Sequence, residues 1–195
     1  MARPTLAWRR HGAASLARLR GGDVSLTRRL NGWGGALWPK RVFALVSRLG
    51  DGVAWYGLIL ALPLVDSRRG LFAGIHIALT AIVAIILYVA LKRLTRRPRP
   101  FRSGAPIVAH VPPLDEYSFP SGHTLHAVSL SLVACSHYPV LIVLLLPFAV
   151  LVAASRVVLG LHYPSDVLAA TVIGGALGEV SCRIGPGLLA PLLAM

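Results

Sequence analysis

Long apolar segments constrain the fold of this chain more than any other feature of its sequence. The clearest, Gly70 to Leu91, is long enough to cross about 30 Å of hydrocarbon as a helix. The region from Thr124 to Ser155 contains no Asp, Glu, Lys or Arg and is too long for one span. Its sequence Cys135 to Pro139 predicts a break, which leaves spans of roughly 121–136 and 138–157. These segments predict a chain that crosses a membrane several times.

Three further segments complete the predicted bundle. Val53 to Val65 is a short span, and the segment from Pro164 to about Cys182 has small residues that suit close helix packing. The segment from about Val24 to Ser47 contains four basic residues, so it either crosses at a tilt or lies partly in the interface. Pro147 is predicted to kink the span that contains it. The expected fold class is all-α, a polytopic membrane helix bundle of about six helices.

The connections between these spans predict the topology. Asp66 to Arg69 is a short loop, whereas Arg96 to Pro120 is long and rich in proline, as functional loops often are. Pro98 and Pro100 must end the preceding helix. Counting six spans places four helix ends on one face of the membrane. These are the end of span three, the start of span four, the end of span five and the start of span six. The N-terminal tail, the short loop and the C-terminus are then expected on the other face.

The charge balance narrows the partners of the chain. Its formal net charge is +13, yet hydrophobic residues make up 55% of it, and the basic residues lie between apolar segments. This pattern argues against nucleic-acid binding and favours attraction to anionic lipid or to an anionic substrate. We expect a basic cytoplasmic or interfacial tail at residues 1–23 and one membrane domain at 24–195. The arginines of the tail mark its face as cytoplasmic, although the opposite face is basic as well. The sequence does not predict an oligomeric state.

Three short clusters carry groups that suit phosphate chemistry, and all three fall on the same predicted face. An arginine fork matches phosphate oxygens, a lysine adds a point charge, and helix N-termini favour anions. Together the clusters predict an oxyanion site, with phosphate as the expected anion. The clusters are Lys92, Arg99 and Pro100; Ser121, Gly122 and His123; and Ser155, Arg156, His162 and Asp166.

Two histidines and a carboxylate in these clusters predict catalysis. His162 and Asp166 are four residues apart at a turn that opens a helix, so Asp166 could hold one ring nitrogen while the other attacks phosphorus. His123 would supply a proton to the leaving oxygen. We expect no metal, because cations crowd this face and the two cysteines, Cys135 and Cys182, lack metal-ligand spacing.

The other polar residues are weaker candidates. His126 lies one turn after His123 and either lines the site or packs in the core. His76 should face other helices, since it lies inside an apolar span. Asp115 and Glu116 in the long loop either shape access or are solvated. The remaining histidines, His11, His110 and His137, are expected at the interface.

The three clusters together resemble the signature of the type 2 phosphatidic acid phosphatases, also called lipid phosphate phosphatases. That signature is Lys, six residues, Arg-Pro; then Pro-Ser-Gly-His; then Ser-Arg, five residues, His, three residues, Asp. This chain matches every signature position, with its first match at Lys92 and its last at Asp166.

The resemblance implies a role for each matched residue. His162 would be the nucleophile, Asp166 its partner and His123 the general acid. The phosphate would be held by Lys92, Arg99, Ser121, the Gly122 backbone and Arg156. The family implies a metal-independent phosphatase without cofactors, with its site near the outer surface of a bacterial inner membrane.

The resemblance leaves the substrate open. Bacterial members act on undecaprenyl pyrophosphate, phosphatidylglycerophosphate, phosphatidic acid or lipid A, and the lipid tail would enter sideways between helices. Two alternatives remain: a non-catalytic protein that binds or transports lipid phosphates, and the vanadium-dependent haloperoxidases, which share the signature but are soluble.

Overall fold

The computed structural model describes residues 21–193, which are helices and connecting loops without a β-strand. Residues 21–31 form a helical segment. Between residues 32 and 193 there are five α-helices, with short 3-10 turns at Gly32–Gly35, Pro100–Arg102 and Pro139–Leu141 and a π turn at Leu49–Val53. The helices are α1 (Leu37–Arg48), α2 (Ala54–Thr95), α3 (Gly122–His137), α4 (Ile142–Val158) and α5 (Pro164–Leu193).

The expected number of about six helices is not confirmed, because α2 contains two of the predicted spans. The backbone leaves helical geometry at Asp66 (φ −137°) and Ser67 (φ 31°), where the chain reverses direction. Gly70 allows this reversal, since a Cβ atom there would lie 1.9 Å from the Leu62 carbonyl oxygen. The chain therefore passes between the two ends of the molecule five times between residues 37 and 193.

The segment expected at 24–47 does not cross the molecule as one helix. Its first part ends at the turn Gly32–Gly35, and its second part, α1, continues through the π turn into α2. Asn31 Nδ2 donates to the carbonyl oxygens of Val108 (2.9 Å) and Val158 (3.0 Å), at the end of the molecule where α4 finishes. The prediction that the N-terminal region lies on the opposite face from the helix ends is therefore wrong for residues 21–35. Most of the expected tail, residues 1–20, lies outside the described residues.

The other predicted breaks agree with the structure. Helix α2 ends at Thr95, before Pro98, and Arg96 caps it in the left-handed conformation. Helix α3 ends at His137, within the predicted break, and α5 begins at Pro164. Pro147 lies inside α4, and the kink expected there stays a prediction.

Helix α3 lies at the centre of the bundle, where it packs against α2, α4 and α5. The apolar core contains Ile77, Leu130, Val133 and Val152, each nearly inaccessible to solvent. Gly174 on α5 lies against the α3 backbone, which is the close packing that the small residues predicted. Gly122, Thr124 and Leu125 in the first turn of α3 are consequently buried.

The outside of the bundle is apolar. Within residues 21–193, three stretches are long and apolar enough to span a membrane, namely Leu37–Arg102, Pro139–Val158 and Pro164–Leu189. Large apolar side chains such as Leu64, Val143 and Val172 are largely exposed on this surface. A surface of this kind is stable in hydrocarbon and not in water.

A polar cluster closes the end of the bundle far from the signature residues. His76 is buried between helices, as expected, and its Nδ1 lies 2.9 Å from Nε2 of His137. Ser181 lies within hydrogen-bonding distance of both His76 and Thr80. These contacts tie α2, α3 and α5 together at that end.

Candidate active site

Four helix ends and the long loop meet at one end of the bundle. Helix α2 ends there, α3 begins there, and α4 and α5 are joined there by a short turn. The loop that follows α2 returns across this end and leads into Pro120 and α3. These connections bring all of the predicted site residues to one place, namely Lys92, Arg99, Ser121, Gly122, His123, Arg156, His162 and Asp166.

Two of the predicted phosphate ligands are paired with a loop carboxylate. Lys92 and Arg99 are 6% and 1% exposed, and both donate to Asp115, Arg99 from Nη2 to Oδ1 over 2.9 Å. Arg99 Nε also donates to the Asp115 carbonyl oxygen at 2.9 Å. Burial alone would raise the pKa of Asp115, but the hydrogen bond and charge of Lys92 and the charge of Arg99 bring that pKa below its usual value. The Asp115 carboxylate thus occupies the position at which Lys92 and Arg99 would bind an anion.

The third cation is incompletely partnered. Arg156 is 3% exposed and donates from Nη1 to the Ser47 hydroxyl on α1. Within residues 21–193, its buried Nε has no hydrogen-bond partner. A buried donor without a partner costs about 1–3 kcal/mol. An oxyanion beside Arg156 would remove that cost.

The imidazole of His162 is buried and held in one tautomer. Its Nδ1 lies 2.6 Å from the carbonyl oxygen of Ser118, which cannot donate, so Nδ1 carries the hydrogen. Burial, with added repulsion from the surrounding cations Arg156, Arg99 and Lys92, lowers the pKa of His162 well below its usual value. The ring is therefore neutral at neutral pH and carries a lone pair on Nε2, 3.4 Å from Arg99 Nη1.

Asp166 organises the surroundings of His162 instead of bonding to its ring. Asp166 Oδ2 lies 3.7 Å from His162 Nδ1, beyond hydrogen-bonding distance, and accepts from the Tyr163 N–H at 2.9 Å. The other oxygen, Oδ1, accepts from Arg97 Nη1 at 2.7 Å. In this structure the direct hydrogen-bond partner of His162 Nδ1 is therefore Ser118, and Asp166 shapes the turn that carries the ring.

The Pro-Ser-Gly-His segment begins α3. Ser121 caps this helix in an extended conformation, and its N–H donates to the Asp166 carbonyl oxygen at 3.3 Å, which joins the second and third clusters. Gly122 packs on the ring of Tyr88, where a Cβ atom would lie 3.3 Å from ring carbon. His123 follows, with Nε2 3.3 Å from Asp51 Oδ1.

A cavity of about 800 Å³ opens beside these residues. One end is polar and is lined by Lys92, Asp115 and His123, whereas the walls between the two halves of α2 and α3 are apolar. His126 also lines this cavity and packs edge-on against Tyr88. The wall residues include Trp55, Ile59, Ile82, Ile85 and Leu130. The shape and chemistry suit a molecule with an anionic head and an apolar tail.

Several functional groups at this site were not among the sequence predictions. Ser118 contributes a backbone carbonyl, which no side-chain pattern can reveal. Arg97 and Asp51 are charged side chains, so the sequence offers a signal for them. Asp51 in particular is one of only 7 acidic residues and lies between two glycines in an apolar region. Asp23 Oδ2 accepts a hydrogen bond from Arg97 Nη2 at 2.8 Å, so Arg97 links Asp23 to the site. Among residues 21–193 no group of three or more His, Cys, Asp and Glu side chains is placed to hold a metal ion.

Residues 73–187 match the family model described as the PAP2 superfamily. A decaprenylphosphoryl-5-phosphoribose phosphatase of Mycobacterium tuberculosis is 34% identical over 109 residues, which are 55% of this chain and 58% of that protein. An undecaprenyl-diphosphatase of Sulfolobus acidocaldarius is 30% identical over 147 residues, or 73% of this chain and 69% of that protein. The chain thus spans somewhat more than half the length of the mycobacterial relative.

The fold is also similar to that of a solved structure. This is the transmembrane PAP2-type phosphatidylglycerolphosphate phosphatase of Bacillus subtilis, with a TM-score of 0.72 and 25% identity. The similarity covers 87% of each chain. This similarity and the apolar outer surface identify the chain as an integral membrane protein.

Proposed function

The chain belongs to the PAP2 superfamily, and from this premise we propose that it is a lipid phosphatase that hydrolyses a lipid phosphate or lipid pyrophosphate. One observation carries the proposal: a neutral, buried His162 whose Nε2 lone pair lies beside Arg99. A neutral imidazole nitrogen is a nucleophile, and a neighbouring guanidinium is a phosphate ligand. The cavity next to them accommodates a lipid tail.

In the first chemical step His162 Nε2 attacks phosphorus. An N–P bond forms, the bond from phosphorus to the leaving oxygen breaks, and His123 donates a proton to that oxygen. The products are a phosphohistidine and a lipid alcohol, or a lipid monophosphate if the substrate is a pyrophosphate. The Ser118 carbonyl supports this step, because it accepts the Nδ1 hydrogen and stabilises the positive charge that develops on the ring.

In the second step water releases the phosphate. His123, now neutral, accepts a proton from the water molecule as its oxygen attacks phosphorus, and the N–P bond breaks. Inorganic phosphate leaves, and both histidines return to their starting states. Asp166 maintains the turn that positions His162 throughout, through its bond to the Tyr163 N–H.

The phosphate ligands in this proposal are Lys92, Arg99, Ser121, Gly122 and Arg156. The unpartnered Nε of Arg156 supports this assignment, since a phosphate oxygen would satisfy it. Three cations around the transferring group would stabilise the negative charge of its equatorial oxygens in the transition state. A bound phosphate would replace Asp115 on Lys92 and Arg99.

The relatives point to lipids as the substrate class but differ in the head group. One is named for a phosphorylated pentose on a polyprenyl carrier and another for a polyprenyl diphosphate. The finer proposal is therefore a lipid phosphomonoester or pyrophosphate, such as undecaprenyl pyrophosphate, phosphatidylglycerophosphate or phosphatidic acid, with its tail in the apolar cavity. Residues 24–195 would form the phosphatase domain.

We also propose a bacterial inner membrane location with the site on the periplasmic face. The resemblance to bacterial members supports this orientation. The arginine count does not, because residues 21–35, including Arg28 and Arg29, lie at the same end as the site.

The decisive experiment measures inorganic phosphate released from a panel of lipid phosphates and pyrophosphates by the purified protein in detergent. We expect release from at least one class, and loss of release with His162→Ala. Equal release by that variant would contradict the mechanism. Binding of lipid phosphates without any release would favour the non-catalytic alternative instead, and bromination with added vanadate would indicate a haloperoxidase.

A further inference from the structure

An acidic side chain that the mechanism has not used lies at the polar end of the cavity. Asp51 belongs to the π turn between α1 and α2, where Gly52 has a φ of 132°. That conformation favours glycine, and it interrupts the helix at the level of the site. Asp51 lines the cavity, and its Oδ1 lies 3.3 Å from Nε2 of His123.

The charges around His123 suggest a role for the nearby Asp51 carboxylate. The charged groups that face His123 from the other elements are Lys92 on α2 and Arg156 on α4, and the imidazoles of His126 and His162 are also close. A general acid must be protonated before it acts, and each neighbouring cation opposes a positive charge on the ring. Among residues 21–193, Asp51 is the acidic side chain within 4 Å of His123. It is also close enough to Arg156 to interact with its charge.

We propose that Asp51 is a positioning residue for His123, holding the imidazole at the polar end of the cavity and stabilising its protonated form until the proton passes to the leaving oxygen. The inference rests on the proposed phosphatase function. It adds to that function a residue that lies outside the three signature clusters and reaches the site from the turn between α1 and α2.

A consequence for leaving groups follows. When the bond from phosphorus to an alkyl oxygen breaks, the alkoxide that would form is unstable, so proton donation by His123 is essential. A 4-nitrophenolate is stable as an anion and leaves with little help. A residue that acts through His123 must therefore matter much more for alkyl phosphates than for aryl phosphates.

The experiment compares Asp51→Asn with the unmodified protein on dodecyl phosphate and 4-nitrophenyl phosphate. The measured quantity is kcat/KM, which reports the steps up to release of the leaving group. General acids contribute about 100-fold or more to rate, so we expect a loss of roughly 30-fold or more on dodecyl phosphate and about threefold or less on 4-nitrophenyl phosphate. Both assays use one preparation, so the ratio of the two losses is independent of the fraction of folded protein.

Three variants complete the test. Asp51→Glu retains a carboxylate and should recover part of the activity on dodecyl phosphate. Asp66→Asn makes the same chemical change at the far end of α2's first half, where Asp66 accepts from the Tyr138 hydroxyl, and should leave the substrate ratio unchanged. In a His123→Asn background, Asp51→Asn should cause little additional loss.

Equal losses on the two substrates, or no loss, would overturn the inference. So would full additivity of the Asp51 and His123 substitutions. If the unmodified protein releases phosphate from neither these substrates nor the lipid panel, the proposed function fails and this inference fails with it.

Discussion

Asp115 accepts a hydrogen bond from Arg99, with 2.9 Å between Oδ1 and Nη2, while its other oxygen accepts from Lys92. A carboxylate of the long loop thus engages two of the three cations proposed to bind phosphate. Its backbone carbonyl adds a further bond to the same guanidinium. Asp115 therefore keeps these cations paired in this structure, and the proposed phosphate would have to replace it.

Replacing this carboxylate should strengthen anion binding and weaken the fold. In Asp115→Asn the phosphate no longer competes with an internal anion, so we expect inorganic phosphate to inhibit at about fivefold lower concentration. Lys92 and Arg99 are buried, so removal of the carboxylate that pairs them should cost about 3 kcal/mol, or roughly 6–12 °C in Tm. Inhibition assays and thermal unfolding in detergent measure the two effects. A variant with weaker phosphate inhibition would contradict the competition.

The nucleophile should be detectable as a covalent intermediate. His162→Gln retains a polar side chain but has no ring nitrogen, so we expect phosphate release to fall by about a thousandfold or more. Rapid acid-free quenching of the unmodified protein with ³²P-labelled substrate should leave label on the protein. His126→Gln, at a cavity histidine without an assigned chemical role, is the matched comparison and should retain labelling. Label on the His162→Gln protein would disprove the assignment.

The lowered pKa of His162 has a consequence for stability. The unfolded imidazole binds a proton as the pH falls through its ordinary value of 6.5, whereas the folded one does not. Stability should therefore be lost as the pH falls below 6.5, by about 1 kcal/mol between pH 6.5 and 5.5 from this residue alone. Above pH 7 the contribution is constant. The Tm of His162→Asn should fall less steeply over this window, and parallel Tm curves would rule out the effect.

The N-terminal helical segment should support catalysis from a distance. Arg97 bridges Asp166 Oδ1 (2.7 Å) and Asp23 Oδ2 (2.8 Å), and Asp23 also accepts from the Ser165 N–H at 3.1 Å. We expect Asp23→Asn to lower kcat about tenfold with little change in KM, because the turn that carries His162 loses one anchor. Asp66→Asn serves as the control at the opposite end. A change confined to KM would argue for a role in substrate binding instead.

The proposed orientation can be checked with exposed serines at the two ends. Ser103 lies in the long loop beside the site, and Ser67 lies at the reversal in α2. In a background without Cys135 and Cys182, Ser103→Cys should react with a membrane-impermeant maleimide in spheroplasts, and Ser67→Cys should react only after lysis. The reverse pattern would place the site in the cytoplasm.

The local parts of the site were predictable because their spacing lies within short stretches of sequence. Lys92 and Arg99 are held by one helix and the turn after it, and His162 and Asp166 by another turn, so their positions follow from local geometry. Their meeting at one end also follows, since the helices that carry them alternate in direction.

Contacts between distant parts of the chain were not predictable in this way. The pairing of Asp51 with His123 depends on a π turn that no apolar pattern signals, and the Ser118 bond to His162 uses a backbone atom. The predicted number of crossings was not met because the ambiguous first segment does not cross the bundle as one helix. There Asn31 satisfies backbone groups of Val108 and Val158 at the site end, which is a tertiary interaction absent from hydropathy.

The five passes of the chain between residues 37 and 193 have a practical meaning for anyone who modifies this protein. An odd number of passes leaves residue 21 and residue 193 on opposite sides of the bilayer. A reporter joined after α5 would therefore occupy the compartment that the site does not face, and its fluorescence or enzymatic activity would report that compartment independently of the catalytic end.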